Sequence, residues 1–178
     1  MIEDKYKPEL TISLLRETDI PIMVNAFAEH NWPKPMTTFK QYFNEQLNGE
    51  RLIWVAYNRN QFAGYVTLKW QSLYQPFCEQ HIPEIMDLNV LPPFRKQGIA
   101  SQLLNIAENE AKAKTDFVGL GVGLYADYGA AQILYFKRSY IPDGRGITYN
   151  YQLVEPGNRV LLDDDLVLWF TKKLNTGI

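Results

Sequence analysis

Val90-Leu-Pro-Pro-Phe-Arg95-Lys96-Gln97-Gly98-Ile99-Ala100-Ser101-Gln102-Leu103-Leu104 is the stretch on which the fold turns. The apolar run Ile85 to Val90 leads into it and stops at two prolines, which cannot donate to a strand ladder. A basic, glycine-containing turn follows. An amphipathic pattern then starts at Ile99, with Ile99, Leu103, Ile106 and Ala107 sharing one face at helical spacing. The stretch therefore reads as buried strand, short loop and helix N-terminus. Such a terminus carries unpaired N–H groups and the positive end of the helix dipole, a ready site for an anion. Arg95 and Lys96 add charge there, and Gly98 and Ala100 let a ligand approach the backbone. An ordinary strand-to-helix connection would show the same pattern.

Working outward, 178 residues with 46% hydrophobic content suffice for one domain with a substantial core, 1–178. A net charge of −2 argues against a nucleic-acid partner, which calls for a basic footprint. The single cysteine, Cys78, excludes an internal disulfide framework and fits a reducing, cytoplasmic compartment. Met1 to Lys7 lacks the apolar core of a secretory signal, and no run is long enough to span a membrane.

The elements read in order as follows. Leu10 to Leu15 is a strand, Ile20 to His30 a helix capped by Thr18-Asp19, and Thr37/Thr38 to Leu47 a second helix. Arg51 to Tyr57 and Gln61 to Trp70 are strands joined across Asn58-Arg59-Asn60 as a hairpin. Pro83 to Val90 is a strand, Ile99 to Lys114 a helix, Phe117 to Tyr125 a strand and Gly129 to Arg138 a short helix. Ile147 to Leu153 and Leu166 to Thr171 close the series as two strands. The order β-α-α-β-β-β-α-β-α-β-β predicts a mixed α/β sheet, since hairpins sit beside a crossover.

The pattern Arg95-x-x-Gly98-x-Ala100, preceded by Val90-x-Pro92, resembles the pyrophosphate loop of the GNAT acetyl-CoA-dependent N-acetyltransferases. Downstream, Ala130-Ala131-Gln132-Ile133-Leu134-Tyr135-Phe136-Lys137-Arg138-Ser139-Tyr140 is similar to the family's Asn-x-x-Ala-x-x-Leu-Tyr-x-x-x-Gly-Phe segment. The two motifs, in order, cover roughly residues 82 to 142. The resemblance implies a mixed, mostly antiparallel sheet with helices on both faces, splayed between the fourth and fifth strands. It implies acetyl-CoA as co-substrate, without a metal, and an amine-bearing acceptor. By the same resemblance, the backbone of Leu88 and Val90 would bond the pantetheine. Lys96, Gln97, Gly98, Ile99, Ala100 and Ser101 would hold the pyrophosphate, with Arg95 lending charge.

Acetyl transfer needs a neutral amine, and a lysine-like amine with a pKa of about 10.4 is neutral in roughly one molecule per few thousand at pH 7, a penalty of about 4.6 kcal/mol. A carboxylate can remove the proton, and a phenol can protonate the departing sulfur. Glu84 falls where several relatives carry a catalytic glutamate, and a carboxylate in an apolar strand suits a base. It could equally be a strand-end residue facing water. Alternation puts Glu84, Met86, Leu88 and Val90 on one face and Asp87 and Asn89 on the other. Asp87 is the second candidate base, or a hydrogen-bonded structural acid. Tyr135 matches the family's general acid; its plain alternative is a half-buried aromatic on a packed helix.

The chain departs from the motif at three places: Tyr128 replaces the asparagine, Ser139 the glycine and Tyr140 the aromatic. Losing the glycine implies a different turn after the helix. With Cys78 outside the motif, direct attack by the amine is expected rather than an acetyl-enzyme. A non-catalytic acyl-CoA-binding or regulatory module is the alternative. Trp32, Trp70, Tyr74 and Phe77 could hold the acceptor amine through their rings, or simply cover the core. The aromatic last strand could support a homodimer. Gly121-x-Gly123-x-x-Ala126 fits a dinucleotide fingerprint in the wrong context, inside a strand. Those glycines more simply admit a close neighbour. Cys78-x-x-His81 has no catalytic surroundings, and Asp163-Asp164-Asp165 reads as a solvated turn.

Overall fold

The computed structural model describes residues 10–174. The reading of Met1 to Lys7 falls outside them. In chain order the elements are β1 (Leu10–Leu14), α1 (Asp19–Glu29), α2 (Met36–Leu47), β2 (Arg51–Asn58), β3 (Gln61–Lys69), α3 (Gln75–Glu79) and β4 (Glu84–Val90). There follow α4 (Ile99–Lys112), β5 (Phe117–Gly123), α5 (Gly129–Lys137), β6 (Ile141–Tyr149), β7 (Gln152–Leu153) and β8 (Leu166–Lys173). The chain divides into two compact units, the first running through Leu68 and resuming at Asp87–Ala107, the second made of Lys69–Met86 and Glu108 onward.

In the first unit the strand order is β1-β2-β3-β4. β1 runs antiparallel to β2, from Leu10↔Asn58 to Leu14↔Trp54. β2 and β3 form the expected hairpin, turning at Arg59 and Asn60 with φ of +48° and +69°. β2 is buried at Ile53, Trp54, Val55 and Ala56, so both faces of the sheet are covered here. On one face Ile20, Met23 and Phe27 of α1 and Phe39 of α2 pack with Ile53, Val55, Phe62 and Tyr65. Phe27 is its hub, lying 5.2 Å from Trp32, 5.6 Å from Phe62 and 5.9 Å from Tyr65, each edge to face. The start of α1 differs from the expected Thr18 cap. Thr18 makes no capping bond. Instead Asp19 accepts from Arg16 N at 2.8 Å and from the Tyr57 hydroxyl at 2.8 Å. Burial pushes the Asp19 carboxyl up, but the Arg16 guanidinium, at 3.0 Å, outweighs it together with those two donors and holds it below its usual range.

β4 is not a regular strand. Asp87 sits at φ +52°, a left-handed residue inside the strand that breaks the alternation expected from Glu84 to Val90. The two faces assigned from spacing therefore do not carry across Asp87. Gly64 of β3 lets the strand come close beyond it: a Cβ there would stand 2.3 Å from the Asn89 carbonyl oxygen.

In the second unit the order is β4-β5-β8-β6-β7. β4 and β5 are parallel, paired at Glu84↔Gly119 and Ile85↔Leu120, a short ladder that fits the expected parting of these strands. β5 and β8 pair antiparallel over seven positions, from Phe117↔Lys173 to Gly123↔Val167. β8 lies between β5 and β6, and its Trp169 and Phe170 are buried. The single strand expected over Ile147 to Leu153 is a hairpin: β6 starts at Ile141, and β7 returns after a two-residue turn at Asn150 and Tyr151.

The turn after α5 also corrects its expectation. Ser139 takes φ +67°, its N–H donates to Phe136 O at 3.0 Å, and Tyr140 N–H donates to Tyr135 O at 3.0 Å. Those two bonds make a Schellman end, with serine holding the left-handed position that glycine favours. Beneath it, Glu108 of α4 accepts from Arg138 (3.1 and 2.7 Å), the Tyr140 hydroxyl (3.0 Å) and Lys172 Nζ (2.8 Å). Burial pushes the Glu108 carboxyl up, and the bonds from Arg138 and Lys172 outweigh it, holding it below the ordinary range. Among the described residues no helix is long and apolar enough to cross a membrane.

Candidate active site

After Val90 the chain leaves the sheet through a 3₁₀ turn at Pro92–Phe94 and reaches α4 across Arg95 to Gly98. Lys96 and Gly98 both take positive φ, +60° and +81°. The loop is pinned at its ends: Gln97 Nε2 donates to Pro93 O at 2.9 Å, and Asn58 Nδ2 to Gln97 Oε1 at 3.2 Å. The bond from Gln102 N to Gly98 O, at 3.1 Å, continues the helical ladder. The amides before it belong to the first turn, which has no intrahelical acceptor. Arg95, Lys96, Gln97 and Gly98 are exposed, Ile99 is buried, and Ala100 and Ser101 are half-buried. Nothing lies within 4 Å of the place a Gly98 Cβ would occupy. An open, doubly cationic helix start of this kind suits a diphosphate. The loop residues, with Leu88 and Val90, all fall in the first unit. Arg95 Nε donates to Val90 O at 3.0 Å, so that carbonyl already has one donor before any ligand arrives.

Glu84 and Tyr135 fall in the second unit. Glu84 is buried, at 3% exposure, which removes the alternative of a water-facing strand end. The Ser72 hydroxyl donates to its Oε2 at 2.5 Å and itself accepts the Tyr74 N–H at 3.0 Å. Its strand partner is Gly119, over which the Phe77 ring lies. A carboxylate so enclosed has been taken out of water beside an aromatic ring. Tyr135 is buried as well, its ring 5.8 Å from that of Tyr140. Asp87, the second candidate base, accepts the Tyr42 hydroxyl at 2.6 Å, which fits its reading as a structural acid. Burial and the Asp87 charge raise the Tyr42 phenol, so it stays a donor.

β5 carries a stripe of glycines whose role is now visible. A Cβ at Gly119 would strike the Phe77 ring at 2.2 Å, one at Gly121 would meet Val167 at 2.6 Å and Trp169 at 3.0 Å, and one at Gly123 would strike Tyr128 at 2.4 Å. The close neighbours these glycines admit are thus mainly aromatic side chains. Tyr128, standing where the family motif has asparagine, bonds Asp164 at 2.9 Å, and Tyr125 donates to the same carboxylate. The Asp163-Asp164-Asp165 turn thereby anchors phenols, with Tyr149 on Asp163 at 3.0 Å.

Of the proposed acceptor aromatics, Tyr74 and Phe77 are buried in one cluster with Ile82 and Trp169. Trp32 and Trp70 already carry the chain's own cations, Lys34 at 4.9 Å and Lys114 at 3.9 Å from the ring centres. Cys78 accepts weakly from Gln71 at 3.4 Å. Among the described residues no group of three or more His, Cys, Asp or Glu is placed to hold a metal ion. Sequence reasoning missed Ser72 and Tyr42. Each lies far along the chain from its carboxylate, and no local pattern announces either pair.

The sequence profile of the acetyltransferase (GNAT) family matches residues 19–137. The chain belongs to this family. No curated protein matches it. Solved structures similar to this GNAT chain include an N-acetyltransferase from Staphylococcus aureus Mu50, 19% identical, covering 94% of this chain and 100% of that one with a TM-score of 0.68. Another is yncA from Salmonella typhimurium with its cofactor acetyl-CoA, at 15% identity, 96% of each chain and a TM-score of 0.66. A third is spermidine N-acetyltransferase from Vibrio cholerae in complex with CoA and spermine, at 14% identity, 93% and 96% coverage and a TM-score of 0.65. At these identities the likeness establishes the GNAT fold. It leaves the acceptor to be argued from this chain's own residues.

Proposed function

We propose that this GNAT chain acts as one domain over 1–178, a cytoplasmic N-acetyltransferase that moves an acetyl group from acetyl-CoA directly onto a primary amine. The observation that carries this reading is the exposed start of α4, where Gly98 at φ +81° opens the backbone beside Arg95 and Lys96. Lys96 to Ser101 would hold the pyrophosphate, and Leu88 and Val90 the pantetheine arm. When bound, acetyl-CoA supplies the thioester whose acetyl group is transferred. Glu84 takes the ammonium proton and so frees the nitrogen lone pair; Ser72 keeps that carboxylate oriented. Tyr135 gives its hydroxyl proton to the sulfur as the carbon–sulfur bond breaks. Cys78, tied to Gln71, is assigned no step. Similarity to proteins solved with acetyl-CoA and with CoA and spermine supports the donor and an amine acceptor.

Calorimetry with acetyl-CoA and a free-CoA release assay across a panel of primary amines test the reading. Uptake of acetyl-CoA together with amine-dependent release of CoA is expected. Glu84→Gln should lower turnover at neutral pH by about 10²–10⁴-fold while leaving acetyl-CoA affinity within about twofold. Absence of uptake would remove the assignment, and uptake without release would leave a binding module in its place.

A further inference from the structure

Asn58 ends β2 immediately before the left-handed pair Arg59–Asn60. Asparagine is a poor strand former, and this one carries a further cost. Its Oδ1 is closed off from solvent and accepts from no group among the described residues. A buried carbonyl without a donor costs at least as much as one neutral hydrogen bond contributes. The Nδ2 end makes such a bond, to Gln97 Oε1 at 3.2 Å, and Gln97 is exposed. On balance, then, the side chain does not stabilise the fold, and an orphaned polar atom of this kind calls for another explanation.

What the amide reaches supplies one. β3 runs beside the end of β4, Leu91 N–H donating to Ala63 O at 2.9 Å, so the tip of the β2/β3 hairpin stands where the chain leaves the sheet for α4. Gln97 lies between two left-handed residues, Lys96 at φ +60° and Gly98 at φ +81°. Lysine takes that conformation only at a cost, and glycine is free to leave it. The Gln97 side chain braces both neighbours. Its Nε2 donates back to Pro93 O at 2.9 Å, and its Oε1 takes the Asn58 amide. The first bond lies within the loop; the second ties the loop to the sheet.

We propose that Asn58 is a positioning residue for the cofactor: by holding Gln97 to the sheet, it keeps the Lys96–Gly98 backbone in the conformation that receives a diphosphate. The inference rests on the reading of this loop as the diphosphate site. A loop ordered before the ligand arrives binds more tightly, in proportion to the fraction of molecules already in the binding conformation. Asn58 acts through Gln97 and not on the reacting atoms, so its effect falls on acetyl-CoA affinity alone.

The test is calorimetry with acetyl-CoA on the full chain, comparing wild type, Asn58→Ala, Gln97→Ala and the double variant. Asn58→Ala should raise the Kd about fivefold, as if the competent fraction fell to roughly one-fifth. Its melting temperature without ligand should stay within about 2 °C of wild type, because an orphaned carbonyl leaves together with the hydrogen bond. At saturating acetyl-CoA, kcat and the amine KM should stay within about twofold. The double variant should bind as Gln97→Ala does, since Asn58 has no effect once its partner is gone. An unchanged Kd in Asn58→Ala overturns the proposal, as does a further loss on adding that change to Gln97→Ala. A melting temperature lower by more than about 4 °C also overturns it, by showing a brace of the fold. A wild-type chain that takes up no acetyl-CoA removes the diphosphate reading and this inference with it, whereas uptake by wild type and an unchanged variant leaves that reading standing.

Discussion

The Ser72 hydroxyl and the Glu84 carboxylate meet at 2.5 Å across a stretch of chain that includes the whole of α3. Because Ser72 Oγ also takes the Tyr74 N–H, one atom ties the candidate base to the aromatic cluster. Ser72→Ala deletes a donor to a buried carboxylate and leaves that N–H without its acceptor. Urea unfolding should register a loss of about 1.5–3 kcal/mol. An unchanged midpoint would mean that Glu84 does not depend on Ser72.

Glu108 makes the second unit sensitive to acid. Its folded carboxyl is held below the ordinary range, chiefly against burial by Arg138 and Lys172. A depressed folded value stabilises the protein above the unfolded pKa of about 4.3, and that stability is lost as pH falls further through the folded value. Glu108→Gln should flatten this part of the acid limb of stability against pH. At neutral pH it should cost about 3 kcal/mol, because two cations lose their partner.

Ser139 offers a stabilising change. The residue is exposed and left-handed, where glycine avoids the Cβ penalty of about 1–2 kcal/mol. Part of that gain is offset by the greater freedom of glycine in the unfolded chain. Ser139→Gly should therefore gain about 0.5–1 kcal/mol, raising the melting temperature by about 2 °C. A fall in melting temperature would show that the serine hydroxyl matters to the helix end.

Gly64 of β3 and the Asn89–Val90 backbone of β4 are in close approach. The atoms facing a Cβ at Gly64 are backbone, Asn89 O at 2.3 Å and Val90 Cα at 3.0 Å, and backbone cannot swing aside as a side chain can. Gly64→Ala should destabilise by about 2–3 kcal/mol. It should also weaken acetyl-CoA binding in calorimetry, because the displaced segment includes Val90. Unaltered affinity in a folded variant would detach this segment from the ligand.

The parts legible in the sequence were those with strong periodicity or a glycine where one is needed. The α4 face, the β2/β3 hairpin and the Arg95–Ser101 loop all announced themselves in this way. The β6/β7 hairpin did not, because Tyr151 stands where the expected turn signal has glycine, and an aromatic inside a β-rich run reads as more strand. The left-handed Asp87 was hidden for the same reason: no glycine or proline marks it, and its partner Tyr42 lies on α2, far along the chain. The family glycine missing at Ser139 suggested another turn, whereas the two hydrogen bonds after α5 were enough to hold a serine in the same one. Glu84 and Tyr135 were visible only through the motifs; their burial depends on partners that local pattern does not show.

The glycines of β5 give the strand two unequal sides. At Leu120 and Val122 a swap among aliphatic residues keeps the buried volume and should pass with little penalty. At Gly119, Gly121 and Gly123 even one added methyl must evict Phe77, Trp169 or Tyr128 from its berth. A library of aliphatic residues over Val118–Gly123 should therefore show survival alternating with a period of two, permissive where the strand is oily and forbidding where it is bare.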